Sequence, residues 1–139
     1  MTTPPLAGIP IRSAEELTGH WNGLLEHPTF KARALWLMWL DDDYRPLPMV
    51  IPVEDVPELP SHALLSGLLS VHDAICAQQL SGPGHLAMAL CRPGRPDITD
   101  DDDSWVDALS EVLDDQLDCS WSLHLAAGGT VTPLVTMRR

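Results

Sequence analysis

The sequence predicts an α/β domain of the α+β, three-layer kind, in which helices flank a mixed central β-sheet. Two short, continuously apolar runs, ALWLMWL and HLAMALC, are typical of strands that are covered on both faces. Three other segments carry apolar residues at helical spacing and supply the covering helices. A chain of 139 residues is long enough for one core, so we expect the element order α-β-β-α-β-α-β-β in one domain.

The sequence of the N-terminal part predicts an arm that is followed by a helix. Residues 1–12 contain three prolines and no periodicity, so we expect a flexible arm there and a single domain over residues 13–137. The first helix begins after Ser13, because Ser13 and Glu16 form the spacing of a capping box. It ends before Pro28, since a residue that precedes proline disfavours the helical conformation.

A hairpin and a long helix follow. The apolar run Ala34–Leu40 is expected at the centre of the sheet, and DDDYRP turns the chain into the strand LPMVIPV. Pro48 and Pro52 lack the backbone donor that a central strand needs, so this second strand belongs at an edge. Residues 61–80 then predict an amphipathic helix that Ser61 caps and that SGPG ends.

The second half of the chain predicts a strand, a helix and a second hairpin. The strand His85–Cys91 leads into the stretch CRPGRPDITDDDDSW, and helical spacing of apolar residues starts at Trp105. The segment SWSLHLA alternates between apolar and small or polar residues, as strands do. Gly128 and Gly129 then predict a tight turn into TVTPLV, the last strand.

The charge balance narrows the classes of partner. The formal net charge is −12, from twenty acidic and eight basic residues, which excludes nucleic acid and anionic membranes as favourable partners. Ten of the acidic residues lie between Asp97 and Asp118. This segment is expected either to be a solvated face or to steer a basic protein surface towards the chain.

Cysteine usage and hydropathy indicate the compartment. The three cysteines are odd in number and form no CxxC pair, which is typical of a reducing cytoplasm. No apolar run approaches the roughly 18 residues of a membrane span, and the N-terminus lacks the layout of a signal peptide. One lysine against seven arginines is typical of a GC-rich bacterial genome. We therefore expect a cytoplasmic bacterial protein.

The run of four aspartates has two competing interpretations. Asp100, Asp102, Ser104 and Glu111 have the spacing of an EF-hand calcium loop, but the position that requires glycine holds Trp105. The calcium interpretation is therefore rejected. Thr99 and Asp102 instead form a T-x-x-D capping signature ahead of an apolar helical run, and we expect them to cap that helix.

Three short motifs in order carry a resemblance to a known family. They are LCRP at the end of a strand, TDDD at the start of a helix, and LHLAAGG on a strand before a glycine turn. With these motifs, the segment from Ala34 to Val135 resembles the JAB1/MPN metalloprotease-like fold, and within it the RadC-like branch of bacterial proteins. That branch has H-x-H-P, S-x-x-D and a D-H pair at the corresponding places.

The departures from this pattern decide the expected activity. Active members hold zinc through two histidines and an aspartate, and a glutamate polarises the bound water. Leu90 and Arg92 stand at the two histidine positions here, and neither is a zinc ligand. The resemblance therefore implies a degenerate site at Arg92, Thr99, Asp102 and His124, with no catalytic residue, no metal ligand and no cofactor.

The sequence leaves two alternatives at this degenerate site: which aspartate and which arginine belong to it. The loop before the helix is about one residue shorter than in the family, so Asp103 can take the place of Asp102. Either Arg92 or Arg95 can pair with the adjacent aspartates and fill the emptied position with an ion pair.

The leading functional expectation is a non-catalytic protein-binding or regulatory module. A partner with a basic surface would bind the acidic helix, and the candidate residues are Asp107, Glu111, Asp114 and Asp115. One alternative is a divalent-metal-dependent hydrolase or metal-binding protein that uses Asp100–Asp103 with His124. Another is a structural homodimer joined through edge strands or apolar patches.

Overall fold

The computed structural model describes residues 10–25, 30–80, 84–116 and 120–136. The predicted α+β fold and its element order are confirmed, and most element ends agree with the sequence patterns within two residues. None of the described helices combines the length and the apolar content needed to cross a membrane. The elements are α1 (Ala14–Leu25), β1 (Ala34–Leu40), β2 (Pro46–Glu54), α2 (His62–Gln79), β3 (His85–Cys91), α3 (Asp100–Gln116), β4 (Ser120–Ala127) and β5 (Thr130–Val135).

The five strands form one mixed sheet in the order β2-β1-β3-β4-β5. Strand β3 runs parallel to β4, with α3 as the crossover between them, and the other neighbouring pairs are antiparallel. The predicted edge position of β2 is confirmed. Strand β1 was expected at the centre but lies one place away, because β3 pairs with both β1 and β4 and takes the middle position.

Helices cover both faces of the sheet, which explains the uninterrupted apolar runs in β1 and β3. Along β1, Leu37 and Trp39 face a core formed with α2 and α3, whereas Met38 and Leu40 face a second core formed with α1. Every residue of β3 is buried. A strand covered on both sides has no solvent face, so its sequence loses the polar alternation of a surface strand.

The α1 face of the sheet is built from small residues. Ala87, Ala89 and Ala126 lie under α1 and form a core with Leu17 and Trp21 of that helix. Short side chains on the sheet leave room for the large indole of Trp21 between α1 and the sheet.

Residues 10–13 attach the start of α1 to the β1–β2 turn. Ile11 is buried, and its N–H donates to the carbonyl of Tyr44 at 2.7 Å. Ser13 accepts from the N–H of Glu16 at 3.1 Å, as the capping box predicts, while the Glu16 carboxylate accepts from the N–H of Arg12 at 2.8 Å. Residues 1–9 of the predicted arm lie outside the described part of the chain.

Prolines line the outer edge of β2. Pro46 and Pro52 lie opposite Leu40 and Trp36 of β1, and Pro48 lies in the segment where the register between the two strands shifts. A proline in an edge strand turns its missing donor away from the neighbouring strand. Pro46, Pro48 and Pro52 therefore remove three backbone donors from this edge strand, which opposes pairing with the edge of another chain.

The β4–β5 turn generates a testable prediction. Gly128 and Gly129 have φ of +58° and +82°, as a two-residue hairpin turn requires. A Cβ on Gly128 would also lie 2.5 Å from Cδ of Pro96, whereas a Cβ on Gly129 would meet nothing within 4 Å. Gly129→Ala should therefore cost about 1 kcal/mol of unfolding free energy and Gly128→Ala about 2–3 kcal/mol. Urea unfolding of the two variants measures both; equal losses would contradict the contact with Pro96.

Candidate functional site

A buried ion pair occupies the end of β3 and the start of α3. Arg92 follows the last residue of β3, and Asp102 lies in the first turn of α3. The Nε of Arg92 donates to Oδ1 of Asp102 at 2.8 Å, and Nη2 donates to Oδ2 at 2.7 Å. The two side chains are 4% and 0% exposed. This two-bond geometry is the strongest arrangement that a guanidinium and a carboxylate form.

The loop after β3 accepts the remaining hydrogens of the Arg92 guanidinium. Nη1 donates to the carbonyls of Pro93 and Arg95 at 3.1 and 2.9 Å, and Nη2 donates to the carbonyl of Asp97 at 2.7 Å. With the two bonds to Asp102, all five N–H donors of the guanidinium are engaged. The chain thus wraps its own loop around Arg92 and leaves this group no donor for a substrate.

Asp102 also closes the predicted helix cap. Its N–H donates to Oγ1 of Thr99 at 3.3 Å, and its carboxylate accepts from the N–H of Thr99 at 2.9 Å. The structure therefore selects Asp102 over Asp103, which is exposed, and Arg92 over Arg95, which contributes its carbonyl to the loop. The carboxylate of Asp102 therefore both caps α3 and neutralises the charge of Arg92.

Both members of the pair stay ionised. Burial alone would raise the pKa of Asp102, but hydrogen bonds from Arg92 and Thr99 and the charge of Arg92 outweigh burial and lower it. The hydrogen bond to Asp102 raises the pKa of Arg92 against the opposing effect of burial. The site consequently holds a compensated charge pair over the whole physiological pH range.

His124 is separated from the other three residues of the predicted site. It lies on the face of the sheet that α1 covers, whereas Asp102 belongs to α3 on the opposite face. Its side chain is fully buried, and Nε2 lies 2.8 Å from Oγ1 of Thr18. The structure therefore brings Arg92, Thr99 and Asp102 together and assigns His124 to the packing of α1.

The metal interpretation of the aspartate run gains no support from this geometry. Within the described ranges, the one group of three ligating side chains whose ligand atoms lie within 4.8 Å of one another is Asp41–Asp43, in the β1–β2 turn. There Asp41 accepts from the N–H groups of Asp43 and Arg45, so part of its ligating capacity serves the turn. Asp100–Asp103 and His124 do not gather into such a group.

A buried histidine–serine cluster on the α1 face was not predicted from the sequence. Nδ1 of His85 lies 2.7 Å from Oγ of Ser120, and Nε2 lies 2.8 Å from Oγ of Ser122. Burial and, less strongly, the neighbouring His124 lower the pKa of His85 to about 4. A fully buried serine beside so weak a base is a poor nucleophile, and the hydrogen bonds of the cluster satisfy buried polar groups. In the sequence, the alternating segment SWSLHLA was the signal that could have placed the two serines on one face of a strand.

The structure also places a cysteine beside a histidine in α2. Sγ of Cys76 lies 3.3 Å from Nε2 of His72, but Nε1 of Trp39 donates to the other ring nitrogen at 3.1 Å. Nε2 therefore carries the hydrogen in the neutral ring and cannot accept the thiol proton. Burial and then the charge of Asp73 raise the pKa of Cys76, while burial lowers that of His72. The pair is neutral and structural.

The four predicted partner-binding carboxylates of α3 lie in two different environments. Asp107, Glu111 and Asp115 are exposed. Asp114 is exposed as well, but its Oδ1 accepts from Nε1 of Trp121 at 2.8 Å and ties α3 to β4. Asp114 thus has a structural role. Of the other three predicted partner-binding residues, Asp115 accepts from Nε2 of its neighbour Gln116 at 3.2 Å, and none bonds another element in the described part of the chain.

An apolar cavity of about 250 Å³ lies between α2 and the strands β1 and β2. The exposed fraction of Val71 is 37%, so the cavity opens to solvent at that side of α2. Its lining offers no charged or hydrogen-bonding side chain, so it supplies no catalytic group. The lining residues are Leu35, Leu37, Val53, Leu64, Gly67, Leu68 and Val71.

No family model matches the chain, and no curated protein or solved structure matches it significantly. The resemblance to the RadC-like branch therefore rests on the three motifs, and the function has to be argued from the geometry of the described residues.

The first prediction for this site concerns its stability. Arg92→Met should lower the free energy of unfolding by about 3–5 kcal/mol, because it leaves the Asp102 carboxylate buried without its partner. The double variant Arg92→Met with Asp102→Leu should recover part of this loss, since both charges are removed while the loop carbonyls and the helix cap stay without their partners. Urea unfolding followed by circular dichroism measures both variants. A double variant no more stable than the single one would contradict this account of the pair.

The second prediction concerns acid. Because folding lowers the pKa of Asp102, its ionised form stabilises the protein above the ordinary aspartate pKa of about 3.9, and this contribution is lost as the pH falls through the folded pKa. Asp102→Asn should therefore be less stable than the wild type at pH 7, and the difference should shrink below about pH 4. Urea titrations across this range test it, with the exposed Asp103→Asn as the control. A difference that does not change with pH would count against the lowered pKa.

Proposed function

We propose that this chain is a non-catalytic protein-binding domain on a RadC-like, JAB1/MPN-like scaffold. The observation that carries the proposal is the Arg92 guanidinium, whose five N–H donors are all used inside the site. A catalytic centre keeps an open position for substrate or water, and this one is filled by the chain's own loop and ion pair.

The residues around the pair also lack zinc chemistry. Leu90 is buried and apolar, and Arg92 has no lone pair to donate to a metal. A fixed guanidinium charge at this place would oppose the approach of a cation. Asp102 already shares its two oxygens among three N–H donors. Hydrolysis by a bound zinc is therefore not the function that this geometry favours.

The binding part of the proposal rests on α3. Asp107, Glu111 and Asp115 lie exposed along one helix, and the chain as a whole carries a net charge of −12. Such a surface attracts a basic partner and accelerates its association, and salt weakens the effect. The attachment of α3 at both ends, by Arg92 and by Trp121, holds these carboxylates on a rigid element.

A homodimer through edge strands is less well supported. Three prolines lie in the edge strand β2, and Pro133 lies opposite His124 in β5, the other edge strand. Each of them removes a backbone donor from an edge. Continuous pairing between two copies would therefore miss several hydrogen bonds along either edge.

If the domain is non-catalytic and has no metal site, added metal ions should not change its thermal stability. Zinc, manganese or calcium added in modest excess to the metal-free protein should leave its thermal midpoint unchanged, because the described site offers no open ligand set. Scanning calorimetry at pH 7 with and without each ion measures the midpoint, with an active zinc protease as the positive control. A stoichiometric ion that stabilises the chain, or chelator-sensitive peptide cleavage, would overturn the proposal.

The binding part predicts that partner capture depends on α3 rather than on net charge. The variant Asp107→Asn, Glu111→Gln, Asp115→Asn should lose a partner that the wild type cross-links in cell extract at low salt. The control variant Asp42→Asn, Asp43→Asn, Glu54→Gln removes the same charge elsewhere and should retain that partner. Cross-linking with mass spectrometry at two salt concentrations compares the three proteins. Equal capture by both variants would remove α3 as the binding surface.

A further inference from the structure

The hydrogen bonds around His124 determine which of its ring nitrogens carries the hydrogen. The hydroxyl of Thr18 donates its single hydrogen to the carbonyl of Ala14 at 2.9 Å. The same oxygen lies 2.8 Å from Nε2 of His124 and can accept from it. A hydrogen on Nδ1 would instead be buried without an acceptor among the described residues, so the neutral ring carries its hydrogen on Nε2 and Nδ1 is a bare acceptor.

Nδ1 of His124 is buried and has no hydrogen-bond partner among the described residues. The neutral ring tolerates this position, because an unpaired acceptor in an apolar environment costs less than a charge there. Protonation would place both a positive charge and an N–H without an acceptor at the same buried atom. The arrangement therefore accommodates the neutral form of His124 and rejects the charged one while α1 stays docked.

The other titratable groups on this side of the sheet do not compensate a charge on His124. Strand β3 contributes His85 and Cys91, and α1 contributes the buried His20. The two carboxylates of α1, Glu15 and Glu16, are exposed, and Glu16 bonds the N–H of Arg12. Strands β1 and β5 present only apolar or uncharged residues to this layer within the described ranges. No buried carboxylate in those ranges lies here to pair with an imidazolium.

The pKa values agree with this geometry. Burial lowers the pKa of His124 to about 4, and burial together with His124 lowers that of His85 to about 4. A histidine in water has a pKa near 6.5, so the detached state binds protons more readily than the docked state between the two values. Docking is therefore strongest above about pH 6.5 and weakens as the pH falls towards 4.

We propose that His124 and Thr18 form an acid-sensitive latch, which holds α1 on the sheet while His124 is neutral and releases it when His124 is protonated. Release would separate α1, with the residues before it, from the small-residue face of β3 and β4. The apolar side chains of Met38 and Leu40 would then become accessible. This inference is independent of the proposed binding function of α3.

Hydrogen exchange of the full-length protein between about pH 7 and pH 4.5 tests the latch. Below about pH 6.5, the protection factors of the α1 amides should fall by up to about tenfold per pH unit for each histidine that protonates on release, and they should fall before those of β3. In His124→Leu this pH dependence should be clearly shallower, since the titrating ring is gone. The exposed His62→Gln should retain the wild-type slope. Parallel loss of protection in α1 and β3, or an unchanged slope in His124→Leu, would overturn the proposal.

Two further measurements decide the matter even when His124→Leu does not fold. The ring nitrogen shifts of His124 in the wild type should report an Nε2–H tautomer at pH 7, and an Nδ1–H tautomer would overturn the latch. Thr18→Val removes the acceptor but keeps the titrating ring. It should weaken α1 docking at every pH and still show a steeper loss in acid, whereas protection that is independent of pH in this variant would contradict the assignment to His124.

Discussion

The buried pair of Arg92 and Asp102 is the interaction on which the arrangement of β3, α3 and the loop between them depends. The guanidinium holds three carbonyls of the loop, while the carboxylate caps α3. The β4–β5 turn joins the same assembly, because Gly128 lies too close to Pro96 for a side chain. Removal of one partner would leave a buried charge, which is far more costly than the net contribution of the intact pair.

The buried charges of Arg92 and Asp102 stabilise the fold and are not arranged as those of a reactive centre are. An active site of the resembled family needs ligands with free lone pairs and an open position, whereas the guanidinium of Arg92 is saturated with hydrogen bonds. The carboxylates that remain available lie farther along α3, where Asp107, Glu111 and Asp115 face solvent. The site thus supplies rigidity to a charged helix, and the proposed function follows from that surface.

Buried polar side chains find different hydrogen-bond partners on the two faces of the sheet. On the α2 and α3 face, three tryptophans donate their indole N–H groups to His72, to the carbonyl of Glu58 and to Asp114, so each large side chain also fixes a neighbouring segment. On the α1 face, His85 is satisfied by two serines, but Nδ1 of His124 is left without a partner in the described residues. The proposed acid-sensitive latch lies on this second face.

The sequence by itself determined the elements, because apolar spacing, caps and turn residues act locally. It located the edge strand from Pro48 and Pro52, the cap from Thr99 and Asp102, and the hairpin from Gly128 and Gly129. Only the tertiary structure decided that Arg92 rather than Arg95 pairs with Asp102, that Asp114 bonds Trp121, and that His124 lies across the sheet from the ion pair. These outcomes depend on which strand lies in the middle and on which face each helix covers. Distances between residues far apart in the chain follow from that packing, and periodicity within one segment contains no information about it.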